Sequence, residues 1–270
     1  MSLAEGARRL PRARVLDLRD PGRFAHGHPA DAGRISEVEL RERRMELPSR
    51  DESVLVVDDD PAGARRVAEQ LVQLGYFRVA WLDAPLESDA MGLVSRQPPA
   101  RLWSPSSFLE RVQGRLRRGR ALDLACGSGR AAVFLAGAGF EVEGWDVDTG
   151  ALRLARKFAE REAVTVAFRQ VDLEAGGLPA SERAFDLIVV IRYLHRDLFA
   201  WIERSLAPGG ALVYETFRQG QERFGHPQRA RHLLESGELR RAFPSLVVDL
   251  HEETSESEPP VLARLLAHRP

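Results

Sequence analysis

Short apolar runs broken by turn residues recur along the whole chain, and run length separates strands from helices. In the first ninety residues, RVLDL (14–18) and SVLVV (53–57) predict two buried strands with a short charged helix near 38–45 between them. A helix over 66–74 and a strand over 77–82 follow. Beyond residue 120 the pattern is denser: ALDL (121–124), EVEGW (141–145), 164–171 and FDLIVV (185–190) read as strands, with a helix over 130–137 after the first. The stretch 206–217, LAPGGALVYETF, reads as a turn entering another strand, and 246–252 and 261–267 read as two more joined by an acidic, proline-containing loop. Uninterrupted parallel-type runs of this kind predict an α/β architecture whose strands are covered on both faces.

Length and composition sharpen that picture only modestly. A chain of 270 residues, 44% hydrophobic and 7% aromatic, suits two modest domains with real cores. Residues 1–90 and 105–270 are the expected domains, and 91–104, punctuated by Gly92, Pro98 and Pro99, the expected linker. Net charge is −1, which gives no global field for nucleic acid and argues against a DNA partner. Cys126 is the single cysteine, so no intrachain disulfide forms. No apolar run reaches the roughly 18 residues that span a membrane. The first residues, MSLAEGARRLPRAR, carry no apolar signal core, and a cytoplasmic location is expected. Of 39 basic side chains only Lys157 is lysine, which biases anion contacts toward guanidinium.

The candidate chemistry centres on ALDLACGSGR (121–130), a strand that breaks at an acid into a glycine loop and then a helix. Gly127 and Gly129 allow a sharp turn and close ligand approach, and the helix start aims free N–H groups at whatever sits there. Gly127, Gly129 and Ala132 also satisfy the G-x-G-x-x-A fingerprint of dinucleotide sites, so the loop alone leaves a nicotinamide cofactor open. The surroundings add acids at the ends of three successive strands: Asp123, Asp146 and Asp172. Ligands of open α/β sheets bind on that edge, and an acid about 20 residues past the turn usually holds a ribose diol.

On these residues, with GWDVD, VDLEAGGLP, FDLIVV and the APGG turn, the region resembles class I S-adenosylmethionine (SAM) dependent methyltransferases. The resemblance implies a Rossmann-like seven-stranded sheet closed by an antiparallel C-terminal hairpin. It implies SAM as cofactor, Asp123 near its methionine end, and Ala125, Cys126, Gly127 and Gly129 beneath its backbone. Asp146 with Val147 would hold the ribose, and Asp172 with Leu173 would frame the adenine. No metal is implied. After the fourth strand this chain reads Ile191-Arg192-Tyr193-Leu194-His195-Arg196 in place of the N/D-P-P-Y/F tetrad of base-amino methylating relatives. His195 is then the candidate general base, with Arg192 and Tyr193 to orient an anionic acceptor. IRYLHR, YETF and RFGHPQ resemble a tellurite-resistance-type branch acting on small molecules. A small-molecule acceptor, such as an oxyanion, carboxylate or thiol, is expected. An RNA or protein acceptor, or a non-catalytic SAM-binding regulator, stays open, as does oligomeric state. The basic stretch 216–236, too long for a tight connection, is expected to be a substrate lid.

In the first ninety residues, VVDDD (56–60) has the look of an acidic receiver pocket, but the second domain begins before a receiver could finish. VLDLRDPGRFAHGHPADAGRI (15–35) instead resembles the opening of a rhodanese domain, a small α/β fold whose active loop reads C-x-x-G-x-R. Here that loop is Asp60-Pro61-Ala62-Gly63-Ala64-Arg65, with a carboxylate where the persulfide cysteine belongs. A carboxylate cannot accept sulfane sulfur, so no sulfurtransferase activity is expected.

Overall fold

The computed structural model describes residues 13–50, 52–76, 78–86, 94–95, 97–176, 178 and 183–270, and the chain divides into two units, Met1–Ser104 and Pro105–Pro270.

In the first unit, β1 (Arg14–Asp17), β3 (Ala32–Arg34), β4 (Val54–Val57) and β5 (Val79–Trp81) form a parallel sheet in the order β3-β1-β4-β5. Between β1 and β3 lie α1 (Pro21–His26) and the short β2 (His28–Pro29). The helix α2 (Pro61–Gln73) lays Ala64, Val67, Ala68 and Leu71 on the sheet. It begins five residues before the expected 66 because Asp60 caps it, Oδ1 accepting from the Ala62 N–H at 3.0 Å with Pro61 at the first turn.

The charged helix expected near 38–45 does not form. Two 3₁₀ turns, Glu37–Glu39 and Arg44–Glu46, stand there. The segment has no apolar stripe to bury, since Val38 is 88% exposed. Its charges bond locally instead. The Glu39 carboxylate accepts from the Ser36 N–H and hydroxyl and from Arg34 and Arg43, which hold it down to about 2 against the cost of its partial burial.

The stretch expected as a linker is in part a piece of this unit. Residues Val94–Ser95 form β6 against β2, Ala100 N–H donates to Ala32 O at 2.9 Å, and Leu102 is buried in the core. The expected strand start at Phe77 and the linker glycine Gly92 lie outside the described residues.

In the second unit the strands are β7 (Arg120–Leu124), β8 (Glu141–Asp146), β9 (Val166–Gln170), β10 (Phe185–Ile191), β11 (Leu206–Phe217), β12 (Val247–Glu253) and β13 (Leu262–His268). They make one sheet in the order β12-β13-β11-β10-β7-β8-β9. All pairs are parallel except those of β13, which runs antiparallel between β11 and β12. The strand order reverses between β7 and β10, so the crevice at their carboxyl ends is the topological switch point.

The helices α3 (Ser107–Val112), α4 (Arg130–Gly137), α5 (Thr149–Arg161), α6 (Phe199–Ser205) and α7 (Glu238–Arg241) accompany these strands. The core joins Leu122, Leu124, Ile188, Val190 and Tyr214 of the sheet to Leu198, Ile202, Leu239 and Phe243. The APGG turn lies within β11 as a bulge: Phe185 pairs with Leu206, then Leu187 with Ala211. Gly210 is forced there, because an added Cβ would lie 2.8 Å from Ala207 O and 2.9 Å from Phe185 O.

Candidate functional site

Three residues in five leave β7 with positive φ: Ala125 at 54°, Gly127 at 53° and Gly129 at 82°. This left-handed run turns the chain across the end of the strand before α4 begins. It is held from both sides: Cys126 N–H donates to Trp145 O at 2.9 Å, and Gly129 N–H to Cys126 O at 2.9 Å. The two glycines differ in what surrounds them. A Cβ on Gly129 would strike Ala155 Cβ at 2.9 Å and the Phe168 ring at 3.0 Å, so Gly129 lets the loop pack down on α5 and β9. A Cβ on Gly127 would meet nothing within 4 Å. Gly127 therefore faces open space above the loop.

Two of the strand-end acids bond this loop or the helix that follows it. Asp123 is buried, its Oδ2 accepting from the Ala132 N–H at 3.0 Å; burial, then the nearby Asp146 charge, push its carboxyl up to about 7 despite that bond. Asp146 Oδ2 accepts from the Gly127 N–H at 2.7 Å, and its Oδ1 from Asp148 N–H at 2.9 Å. Exposed Val147 follows it. Asp172 Oδ1 accepts from the Glu174 and Ala175 N–H groups, beside the buried Leu173. The Cys126 thiol is buried and pushed above its ordinary range by desolvation and the two acids, which makes it an inert packing group.

The residues after β10 lie next to that crevice, since Asp123 and Val189 are partners across β7 and β10. Tyr193 is raised by partial burial and by Glu174, Asp172 and Asp146, so its hydroxyl shares the field of the cofactor-side acids; it donates to Glu174 at 3.4 Å. His195 precedes a 3₁₀ turn (Arg196–Leu198), and its Nε2 stands 3.8 Å from Asp197 Oδ2. Arg192 takes φ 62° and lies over the Phe217 ring at 4.7 Å. One participant escaped the sequence reading: Glu215 on β11, 1% exposed, stands 3.3 Å from Arg192 Nε and 2.7 Å from Arg264 Nε. Its only sequence signal is an acid inside the apolar run ALVYETF.

The expected lid is largely tied down. Arg218 is buried, bonding Glu256 at 2.6 Å and Thr254 O at 2.8 Å, and Arg223 also reaches Glu256. These two arginines brace the turn between β12 and β13. Arg196 likewise bonds Glu238 and the carbonyls of Arg231 and Leu233, pinning the end of the segment.

Comparison with known proteins decides the family of each unit. The methyltransferase domain profile matches residues 121–210, and the rhodanese-like domain profile matches residues 2–88. The chain carries a rhodanese-like domain followed by a methyltransferase domain. Among curated relatives, the ubiquinone biosynthesis O-methyltransferase of Alkalilimnicola ehrlichii is 30% identical over 131 residues, 47% of this chain and 51% of that protein. The putative methyltransferase YqeM of Bacillus subtilis is 31% identical over 107 residues, 36% of this chain and 42% of that protein. The chain thus spans about half the length, or less, of these relatives. Among solved structures, PH0226 of Pyrococcus horikoshii superposes with TM-score 0.51 at 20% identity, over 60% of this chain and 88% of that one. TehB of Haemophilus influenzae superposes with TM-score 0.50 at 17% identity, over 62% of each chain. Both share the fold.

The loop fits the SAM that the sequence resemblance implies: open space over Gly127, acids at successive strand ends, and a helix start beyond. In the rhodanese-like unit the Asp60 carboxylate is spent on capping α2, and the loop holds no thiol. No described helix is long and apolar enough to cross a membrane.

Proposed function

We propose that the second unit transfers a methyl group from SAM to a small-molecule acceptor at the carboxyl edge of β7 and β10. The observation that carries this is the left-handed loop with open space over Gly127, bonded by Asp146, with Asp123 bonded to the helix that follows. Bound there, SAM would supply an electrophilic methyl group on a sulfonium.

The protein's own work is mainly placement. Asp123 meets the ammonium of the methionine end. Ala125, Cys126, Gly127 and Gly129 form the floor, Asp146 and Val147 the ribose wall, and Asp172 with Leu173 the adenine wall. In-line displacement then needs the acceptor held against the methyl group with water excluded. Tyr193, its phenol kept protonated by burial and neighbouring acids and bonded to Glu174, lines the acceptor side. Where the acceptor has a proton to lose, His195 takes it. Arg192 orients the acceptor. The net charge of −1 gives no field that would favour a DNA acceptor. The rhodanese-like unit, without a sulfur-accepting thiol, takes no part in sulfur transfer.

Calorimetric titration with SAM, S-adenosylhomocysteine (SAH) and NAD tests the reading. Micromolar binding of SAM and SAH without NAD is the expected result; binding of NAD alone would overturn it. Formation of SAH with an acceptor then separates an enzyme from a SAM-binding regulator.

A further inference from the structure

Tyr193 and Glu174 meet although the strands that carry them are not neighbours. Strand β10 ends at Ile191, just before Tyr193, and β9 ends at Gln170, just before the turn that bears Glu174. In the sheet order β10-β7-β8-β9 two strands separate those elements. At about 4.8 Å per strand, β9 and β10 stand roughly 14 Å apart. The Tyr193 hydroxyl nevertheless donates to Glu174 Oε1 at 3.4 Å. The strands in between are β7 and β8, whose carboxyl ends lead into the glycine loop and carry Asp146.

Two observations place this bond over those strand ends. Burial raises the Tyr193 phenol, and the charges of Glu174, Asp172 and Asp146 raise it further, so the ring lies close to the end of β8 as well as to that of β9. Ala125 of the glycine loop and Tyr193 also pack on one core cluster with Leu173. The two ends of the bridge are anchored. Tyr214 of β11 donates its hydroxyl to Tyr193 O at 3.1 Å, and Asp172 Oδ1 accepts from the Glu174 N–H at 2.9 Å. The centre is looser: Glu174 is exposed, and among the described residues its side chain has no second hydrogen bond. A long bond open to water is the weakest link of the bridge, and parting the two side chains breaks neither anchor.

We propose that Tyr193 and Glu174 form a clasp over the cleft between the glycine loop and Asp146, which opens to let the cofactor enter and its product leave. The inference rests on the methyltransferase reading above, since the clasp spans the cradle assigned there to SAM. A gate that is shut in the ligand-free protein and shuts again over bound ligand slows entry and exit together and leaves affinity almost unchanged.

The test is stopped-flow binding and displacement of SAH, with affinity by calorimetry, for wild type, Tyr193→Phe, Glu174→Ala and the double variant. Each single variant should speed both association and release roughly three- to tenfold, the range of one modest hydrogen bond, while Kd stays within about twofold. The double variant should be no faster than either single one, because both remove the same bond. Side chains that merely steady their own loops would give effects that multiply. Should Tyr193→Phe not fold, Glu174→Ala, on an exposed side chain, decides by the same paired change in rates. Unaltered rates in both variants, faster release with unaltered association, or multiplying effects overturn the clasp while leaving the cofactor assignment in place. Absence of SAH binding to the wild type overturns the methyltransferase reading and the clasp with it.

Discussion

The Gly127 N–H donates to Asp146 Oδ2 at 2.7 Å, tying the glycine loop after β7 to the end of β8. On the proposed assignment the same carboxylate also receives the ribose hydroxyls, so that loop shape and cofactor recognition share one side chain. Asp146→Ala should remove charge-assisted bonds of about 1.5–3 kcal/mol. SAM affinity should fall roughly ten- to 150-fold by calorimetry. Unchanged affinity in a folded variant would refute the assignment.

The two loop glycines should separate folding from binding. Gly129→Ala drives a Cβ into Ala155 and Phe168 and forces φ 82° on alanine, so thermal unfolding should show a loss of about 2–4 kcal/mol. Gly127→Ala meets only open space, so its stability cost should be limited to the strain of φ 53°, about 1 kcal/mol. Its methyl group points into the proposed cradle, and SAM affinity should fall while the melt barely changes. The reverse pattern would place the ligand elsewhere.

Asp123 should make the ligand-free protein pH-sensitive. Its carboxyl is pushed up to about 7 from an ordinary 3.8, so the fold favours the neutral acid. That contribution is complete below pH about 4 and is lost as pH rises through about 7, up to ~4 kcal/mol in all. Urea unfolding between pH 4 and 8 should show this decline, and Asp123→Asn should flatten it. SAM binding, which needs the carboxylate, should strengthen over the upper part of the same interval. A slope unaltered by Asp123→Asn would mean that another group carries it.

Sulfur transfer should be absent. With Asp60 in the loop and its carboxylate capping α2, thiosulfate with cyanide should give no thiocyanate above background. Asp60→Ala should cost about 1 kcal/mol through loss of the cap. Thiocyanate production by the purified protein would show that sulfur is carried without a thiol in this loop.

Much of the framework was legible in the order of residues. The strand runs are continuous because both sheet faces are covered, and the glycine loop announces itself because only glycine takes φ 82° against a neighbouring side chain at no cost. The linker and the charged helix were misread for the complementary reason: Pro and Gly punctuation does not reveal that Leu102 finds a core, and charges near 38–45 prefer bonds to Arg34 and Ser36 over a helix with nothing to bury. The basic stretch 216–236 read as a lid because its carboxylate partners, Glu253 and Glu256, lie some 20 residues or more further on.

The sequence by itself determined the two domain families, the loop, the strand-end acids and the absence of a thiol at the rhodanese position, because each is a local pattern of backbone freedom or side-chain chemistry. Only the tertiary structure decided which charges are spent and which are poised. Burial raises Asp123, cross-strand register brings Arg192 and Arg264 onto Glu215, and packing separates the roles of Gly127 and Gly129. These depend on distances between strands, and spacing along the chain does not encode them.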